Sequence, residues 1–106
     1  MSAGIKHDKG KPEPQLVIHG FRNALLEVSK VATFGANKYA EGNWAFVENG
    51  YKRYTNAMLR HYLNEHAADS KDPETGLLEA AHIAWNALAR LELLLKELQC
   101  DVKQKT

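Results

Sequence analysis

The chain has 106 residues, of which 44% are hydrophobic and 25% charged, and its formal net charge is +1. This length predicts one domain and excludes a two-domain enzyme, and the balanced charge argues against nucleic acid as a partner. No apolar run reaches the roughly 18 residues of a membrane span, and the N-terminus lacks the apolar stretch of a secretion signal. We therefore expect a cytoplasmic protein without a membrane partner.

An N-terminal arm comes first in chain order. Residues 1–15 are polar and contain two glycines and two prolines, which interrupt regular structure and predict an extended arm. From Val17 onward, apolar residues recur at three- and four-residue steps, which predicts a first helix that ends or bends at Gly35. Residues 37–50 have mixed turn chemistry, and we expect them to form a loop.

Two further helices are predicted in the second half of the chain. Residues 51–66 contain no glycine or proline and keep apolar residues at helical spacing, which predicts the second helix. Asp72 can cap a helix, Pro73 suits a first helical position, and Glu74 suits the positive helix end, so the third helix is predicted to start here. It should extend to residue 100, and we expect residues 101–106 to fray.

The third helix carries a leucine seam with alternating four- and three-residue steps: Leu77, Ala81, Ala84, Leu88, Leu91, Leu95 and Leu98. Such a seam is typical of a helix packed against another helix. Because no strand pattern competes, the predicted fold is all-α, a small bundle of three main helices in one domain at residues 16–100. Three helices bury little apolar surface, so we expect homo-oligomerisation to complete the bundle, as a dimer or tetramer.

Three polar residues lie on the side of the third helix opposite the seam. Glu79, His82 and Asn86 fall within roughly 60° of one another at about 100° per residue. Their apolar sequence neighbours should partly cover them, and covered polar groups need partners. A carboxylate, an imidazole and an amide on one stripe can hold a metal, a phosphate shell or a base. A satisfied structural network is the alternative.

Cations and aromatic residues provide further candidates for an anion or nucleotide site. On the second helix we select Arg60 and His61 as anion contacts, although this face could also be an ordinary exposed basic surface. In the arm, the KGK segment at 9–11, which includes Lys11, could wrap a phosphate. Such a segment is also typical of a disordered terminus. In the loop, Lys38 offers charge and Tyr39 or Trp44 could stack on a base or instead close the end of the bundle.

Six short motifs follow one another along the chain: DKGKP at 8–12, TFGANKY at 33–39, NW at 43–44, RH at 60–61, DPETG at 72–76 and HIAWN at 82–86. This ordered set resembles the phage dATP/dGTP diphosphohydrolase N-terminal domain family, which is associated with MazG-like all-α nucleotide pyrophosphohydrolases, over about residues 6–95. The resemblance implies recognition of a nucleoside triphosphate. It also implies metal-dependent hydrolysis between the α- and β-phosphates, which gives a monophosphate and pyrophosphate, and a host cytoplasm if the chain is phage-encoded.

Our first hypothesis is therefore a hydrolase of purine (deoxy)nucleoside triphosphates that uses Mg²⁺ or Mn²⁺. Glu79, Asp72 and Glu74 would hold the metal, and His61 or His82 would act as a ligand or proton carrier. The remaining candidates would contact the substrate: Arg60, Lys38 and Lys11 the phosphates, Trp44 and Tyr39 the base face, and Asn43 or Asn86 the base edge. Asp72 and Glu74 keep their second interpretation as helix-start residues.

Two departures from the family pattern leave other functions open. Family members often have histidine at the position of Glu79, and MazG-like catalysts use two acidic pairs, E-x-x-E and E-x-x-D, where this sequence has single acids. A protein that binds or sequesters a nucleotide without cleaving it is the second hypothesis. A helical assembly adaptor without a ligand is the third.

Overall fold

The computed structural model describes the backbone of residues 3–105 and the side chains of residues 3–100. Four α-helices follow one another along the chain: α1 (Gln15–Gly20), α2 (Arg22–Lys38), α3 (Gly50–Leu63) and α4 (Glu79–Lys105). A short 3₁₀ helix, Asn43–Phe46, lies between α2 and α3. The described residues form no strand beyond a single antiparallel bridge between Lys71 and Leu78, which confirms the all-α prediction.

The predicted first helix is two helices. Phe21, with φ −112° and ψ 33°, separates α1 from α2, although its N–H still donates to the carbonyl of Val17 at 2.9 Å. Of the two predicted outcomes at Gly35, an end or a bend, the structure excludes the end, because α2 continues to Lys38. An internal glycine costs a helix only about 1 kcal/mol, which the neighbouring turns of α2 can offset. Residues 3–14 form no helix or strand, and the predicted arm at residues 1–15 stays a prediction because residues 1–2 lie outside the described part and Gln15 already begins α1.

The main packing contact joins α3 and α4, which run in opposite directions. At one end, the guanidinium of Arg90 donates to Thr55 Oγ1 at 2.9 Å and to the Tyr51 hydroxyl at 2.6 Å. Gly50 lets the helices approach closely there, since a Cβ at this position would lie 2.7 Å from Leu93 Cδ1. At the other end, the last turn of α3 meets the first turn of α4. That meeting point holds the candidate site.

The predicted start of the third helix was wrong. Asp72, Pro73 and Glu74 belong to a turn, and α4 begins at Glu79. The Asp72 carboxylate accepts from the Thr75 N–H at 2.9 Å, and the Gly76 N–H donates to the Asp72 carbonyl at 2.8 Å. A capping residue can close a turn as well as a helix, and Gly76 at φ +72° diverts the chain from a helical path.

The face of α4 that packs inside the chain is not the leucine seam. It carries Glu79, His82, Asn86 and Ala89, all buried, while Leu88, Leu91, Leu95 and Leu98 are about half exposed. Of the seam, Ala81 is buried and Leu77 and Ala84 are half-buried, so the start of the seam packs inside the chain as predicted, whereas its leucines from Leu88 onward do not. The helix continues to Lys105, but Thr106 and the side chains of 101–105 lie outside the described residues, so the fraying of residues 101–106 stays a prediction. Among the described helices none is long and apolar enough to cross a bilayer.

Gly76→Ala should lower the free energy of unfolding by about 1–2 kcal/mol, because the left-handed backbone at this position penalises a Cβ. No neighbouring atom lies within 4 Å of the added methyl group, so the effect isolates backbone strain. Gly35→Ala in α2 is the matched control and should raise stability by about 0.5–1 kcal/mol, since Ala is the better helix former. Urea denaturation measures both, and equal effects of the two variants would contradict the turn described here.

Candidate functional site

Two histidines from different helices stack against each other where α3 ends and α4 begins. The rings of His61 and His82 are nearly parallel, with an interplanar angle of 13° and centroids 4.4 Å apart. His61 belongs to the last turn of α3, and His82 is one turn inside α4. The antiparallel contact of the two helices brings the rings together, although the two histidines lie 21 positions apart in the sequence.

Glu79 is the deepest side chain of the site. Only 1% of its surface is exposed, and its Oε1 lies 2.8 Å from Nδ1 of His61. As the first residue of α4 it stands at the positive end of the helix dipole. The imidazole supplies the hydrogen bond that a buried carboxylate requires. The predicted row of Glu79, His82 and Asn86 is thus covered, as the sequence indicated.

Asp72 reaches both histidines from the turn before α4. Its Oδ1 lies 3.9 Å from His61 Nδ1, and its Oδ2 lies 3.9 Å from His82 Nε2. Burial by itself would raise the pKa of Asp72. The hydrogen bonds from Thr75 and the neighbouring charges of His82 and His61 outweigh burial and hold the pKa below its ordinary value. Asp72 is therefore a carboxylate at neutral pH.

His82 is the most enclosed imidazole. Its Nε2 lies 2.7 Å from the hydroxyl of Thr75, a residue that the sequence analysis did not select. Burial, followed by the nearby charge of His61, lowers the pKa of His82, and the surrounding carboxylates offset this only in part. His82 is accordingly neutral at pH 7, with one ring nitrogen able to accept a proton.

Three side chains present ligand atoms suited to a metal ion. One ring nitrogen of His61 and one carboxylate oxygen each from Asp72 and Glu79 all lie within 4.8 Å of one another. We call these residues the His–Asp–Glu cluster. One imidazole and two carboxylates form a donor set that Mn²⁺ accepts well. Of the predicted metal ligands, Glu79 and Asp72 belong to this cluster.

Glu74, the third predicted metal ligand, is not part of the His–Asp–Glu cluster. Its carboxylate accepts a hydrogen bond from the ammonium of Lys38, an exposed ion pair that joins the turn to the end of α2. This hydrogen bond raises the pKa of Lys38. His61, which the sequence analysis named as a ligand or proton carrier, takes the place in the cluster that was predicted for Glu74.

A cleft of about 870 Å³ opens beside the cluster, between α2, the 3₁₀ segment, α3, the turn and α4. It brings together most of the residues selected from the sequence: Lys38, Tyr39, Asn43, Trp44, Arg60, His61, Asp72, Glu74, His82 and Asn86. Arg53 and Asn56 of α3 line it as well. Lys11 does not line it. Its N–H donates to the Asp8 carbonyl in an exposed turn of the arm.

The aromatic candidates lie in two different settings. Trp44 is half-buried, with its ring edge-to-face against Tyr54 and Trp85 at centroid distances of 6.4 and 5.9 Å. Tyr39 is 65% exposed, and the Lys38 ammonium lies 5.1 Å from its ring centre. Trp44 is thus a fixed part of the cleft wall, whereas Tyr39 stands at the opening. Asn86 has its amide nitrogen committed to the His82 carbonyl at 2.8 Å.

The lowered pKa of His82 predicts acid sensitivity. The unfolded chain protonates this histidine near pH 6.5 and the folded chain only at lower pH, so the stabilisation is complete above about pH 6.5 and declines as the pH falls toward the folded-state pKa. His82→Gln should flatten the loss of unfolding free energy between pH 7 and about 5.5. His19→Gln, at an exposed position of α1, is the control. Denaturation with a chelator present measures the slopes, and equal slopes for wild type and His82→Gln would refute this prediction.

Comparison with known proteins relates the chain to one family. The model of the family described as "dATP/dGTP diphosphohydrolase, N-terminal" matches residues 1–103. A dATP/dGTP diphosphohydrolase of Salmonella phage PMBT28 is 37% identical over 81 residues, which cover 76% of this chain and 26% of that relative. The chain thus matches about a quarter of the relative's length. No solved structure is similar. On the match to nearly its whole length, the chain belongs to the family of dATP/dGTP diphosphohydrolase N-terminal domains.

Proposed function

We propose that the cleft binds a purine (deoxy)nucleoside triphosphate and hydrolyses it, with a divalent cation, to a monophosphate and pyrophosphate. The observation that carries the proposal is the His–Asp–Glu cluster beside a cleft that cationic and aromatic side chains line. The name of the phage relative, a dATP/dGTP diphosphohydrolase, supports the reaction and the substrate class. Since the chain matches only part of that relative, the activity of the isolated chain needs its own test.

The donor set is compatible with the proposed cation. His61, Asp72 and Glu79 would hold it, and the two carboxylates would balance its charge. Carboxylates suit both Mg²⁺ and Mn²⁺, and the imidazole nitrogen favours Mn²⁺. When bound, such an ion polarises a phosphoryl oxygen and promotes ionisation of a water molecule.

The protein's own residues supply binding charge and a proton acceptor. Arg60 lines the cleft on the α3 side and Lys38 on the α2 side, so both can contact an anionic phosphate chain. The neutral imidazole of His82 can take a proton at Nε2, where the Thr75 hydroxyl now lies. His82 is therefore our candidate general base, and Thr75 positions its ring.

The nucleoside would occupy the part of the cleft that is farther from the His–Asp–Glu cluster. Trp44 would offer an aromatic edge in the wall, and Tyr39, exposed at the opening, would stack on the base. Asn43 lines the same region and could read the base edge. For Asn86 only the amide oxygen remains for such a role, because its nitrogen already donates to the His82 carbonyl.

Nucleotide binding without hydrolysis is a second candidate function. In the part of the chain that the structure describes, the cluster contains two carboxylates, Asp72 and Glu79, and not the two acidic pairs of the MazG-like catalysts. Binding requires the cations and aromatic residues of the cleft but no general base. The two functions share a site and differ in whether the ligand is recovered intact.

Incubation of the purified chain with Mn²⁺ and dGTP or dATP should release pyrophosphate. Glu79→Gln and Asp72→Asn should lower the rate at least 100-fold, because each removes one charged ligand from the cluster. Glu97→Gln, at an exposed position of α4, should retain the wild-type rate. Ion-exchange chromatography of the products is the measurement. Absence of turnover for all common nucleotides would contradict hydrolysis by this chain.

Arg60→Ala should weaken nucleotide binding about tenfold or more, because it removes a guanidinium from the cleft. Lys52→Ala is the matched control, since Lys52 is an exposed cation of the same helix that does not line the cleft. Calorimetry with dGTP separates the hypotheses. Tight binding without metal, with the dGTP intact afterwards, favours sequestration, and no binding or thermal shift with any nucleotide favours the adaptor hypothesis.

A further inference from the structure

Two arginines line the cleft from the same side of α3. Arg53 precedes Arg60 by about two helical turns, so their Cα atoms lie about 10 Å apart along the helix. Arg60 is next to His61 in the sequence and therefore lies beside the His–Asp–Glu cluster. Arg53 lies nearer the start of α3, in the part of the cleft that is farther from the cluster, and the proposed function gives it no role.

Aromatic side chains surround this part of the cleft. The ring of Tyr54 lies edge-to-face against Trp44 and Trp85, with centroid distances of 6.4 and 5.5 Å, and its hydroxyl donates to the Trp44 carbonyl at 2.7 Å. Burial raises the pKa of Tyr54, the positive charge of Arg53 acts in the opposite direction, and Tyr39 adds to the rise. Because such effects decline with distance, Arg53 and Tyr39 both lie near the Tyr54 hydroxyl. Arg53 is thus close to the aromatic residues proposed to hold the base.

The guanidinium of Arg53 is available to a ligand. Arg53 is exposed, and no ion pair between the described side chains includes it. Arg90, by contrast, is committed to Thr55 and Tyr51. A guanidinium has only N–H donors, arranged as a planar fork, and no acceptor. It therefore suits a ligand edge that presents two acceptors side by side.

Guanine and adenine differ at the edge that such a fork contacts. Guanine presents two acceptors there, O6 and N7, whereas adenine presents the N7 acceptor beside the N6 amino donor. A guanidinium can donate to both guanine atoms, but against adenine one of its N–H groups meets another donor. Asn43 and Asn56 also line the cleft, and their amides both donate and accept, so they can pair with either purine. Of these three side chains, Arg53 is the one that distinguishes the two bases.

We propose that Arg53 recognises the O6–N7 edge of the bound purine and makes the cleft prefer guanine nucleotides over adenine nucleotides. This inference rests on the proposed nucleotide binding but not on hydrolysis. A phosphate contact is the other role that an arginine of the cleft could have. The phosphates belong beside the His–Asp–Glu cluster, however, where Arg60 lies, and Arg53 is about two turns away from that position.

Calorimetry with dGMP and dAMP in the presence of Mn²⁺ tests the proposal, because neither ligand has an α–β phosphate bond that could be hydrolysed. Wild type should bind dGMP about tenfold or more tightly than dAMP. Arg53→Ala should bring the two dissociation constants within about twofold of each other, mainly by weakening dGMP binding. Arg53→Lys keeps the charge but loses the fork, so it should not restore the preference. Lys52→Ala, at an exposed position outside the cleft, is the matched control and should keep the wild-type ratio.

A modified base locates the contact. In 7-deaza-dGMP a C–H group replaces N7, so wild type should bind it several-fold more weakly than dGMP, whereas Arg53→Ala should bind both alike. Circular dichroism checks that each variant is folded. Equal binding of dGMP and dAMP by wild type, or an Arg53→Ala variant that keeps the preference, overturns the proposal and leaves nucleotide binding intact. Equal weakening of both ligands by Arg53→Ala indicates a phosphate contact and also overturns it. Absence of binding for both ligands contradicts the proposed function as well.

Discussion

The contact between His61 and Glu79 fixes the position of α3 relative to α4 at the site. Glu79 is buried almost completely, and a carboxylate in that position is stable only with a hydrogen-bonding or charged partner. The imidazole at 2.8 Å is that partner, and it comes from the other helix. The last turn of α3 is therefore placed against the first turn of α4 by a polar requirement as well as by apolar packing.

The turn before α4 depends on the same junction. The amide of Glu79 donates to the Ser70 carbonyl and the amide of Asp72 to the Leu77 carbonyl, which closes residues 70–79 into a compact loop. Inside it, Thr75 both donates its N–H to Asp72 and contacts His82 through its hydroxyl. Asp72, although it lies on a loop, thereby gains a defined position close to both histidines of the helices. Such preorganisation is what a metal or proton-transfer site needs.

The two sides of α4 differ in polarity and burial. The inner side holds polar residues that are buried and paired, whereas the outer side holds leucines that are half exposed. Hydrophobic burial within one chain is consequently small, with Val31, Ala81 and Ala89 as the buried apolar residues of the described part.

The sequence by itself determined the helical class and the polar row of Glu79, His82 and Asn86, because helical periodicity is a local property that spacing reveals. Only the tertiary structure decided that Asp72 belongs to a turn, since the same residue types close a turn and cap a helix. The tertiary structure also decided which side chains of the site contact one another. His61 joins Glu79 and Asp72, and Glu74 pairs with Lys38, because these contacts depend on how helices far apart in sequence pack together.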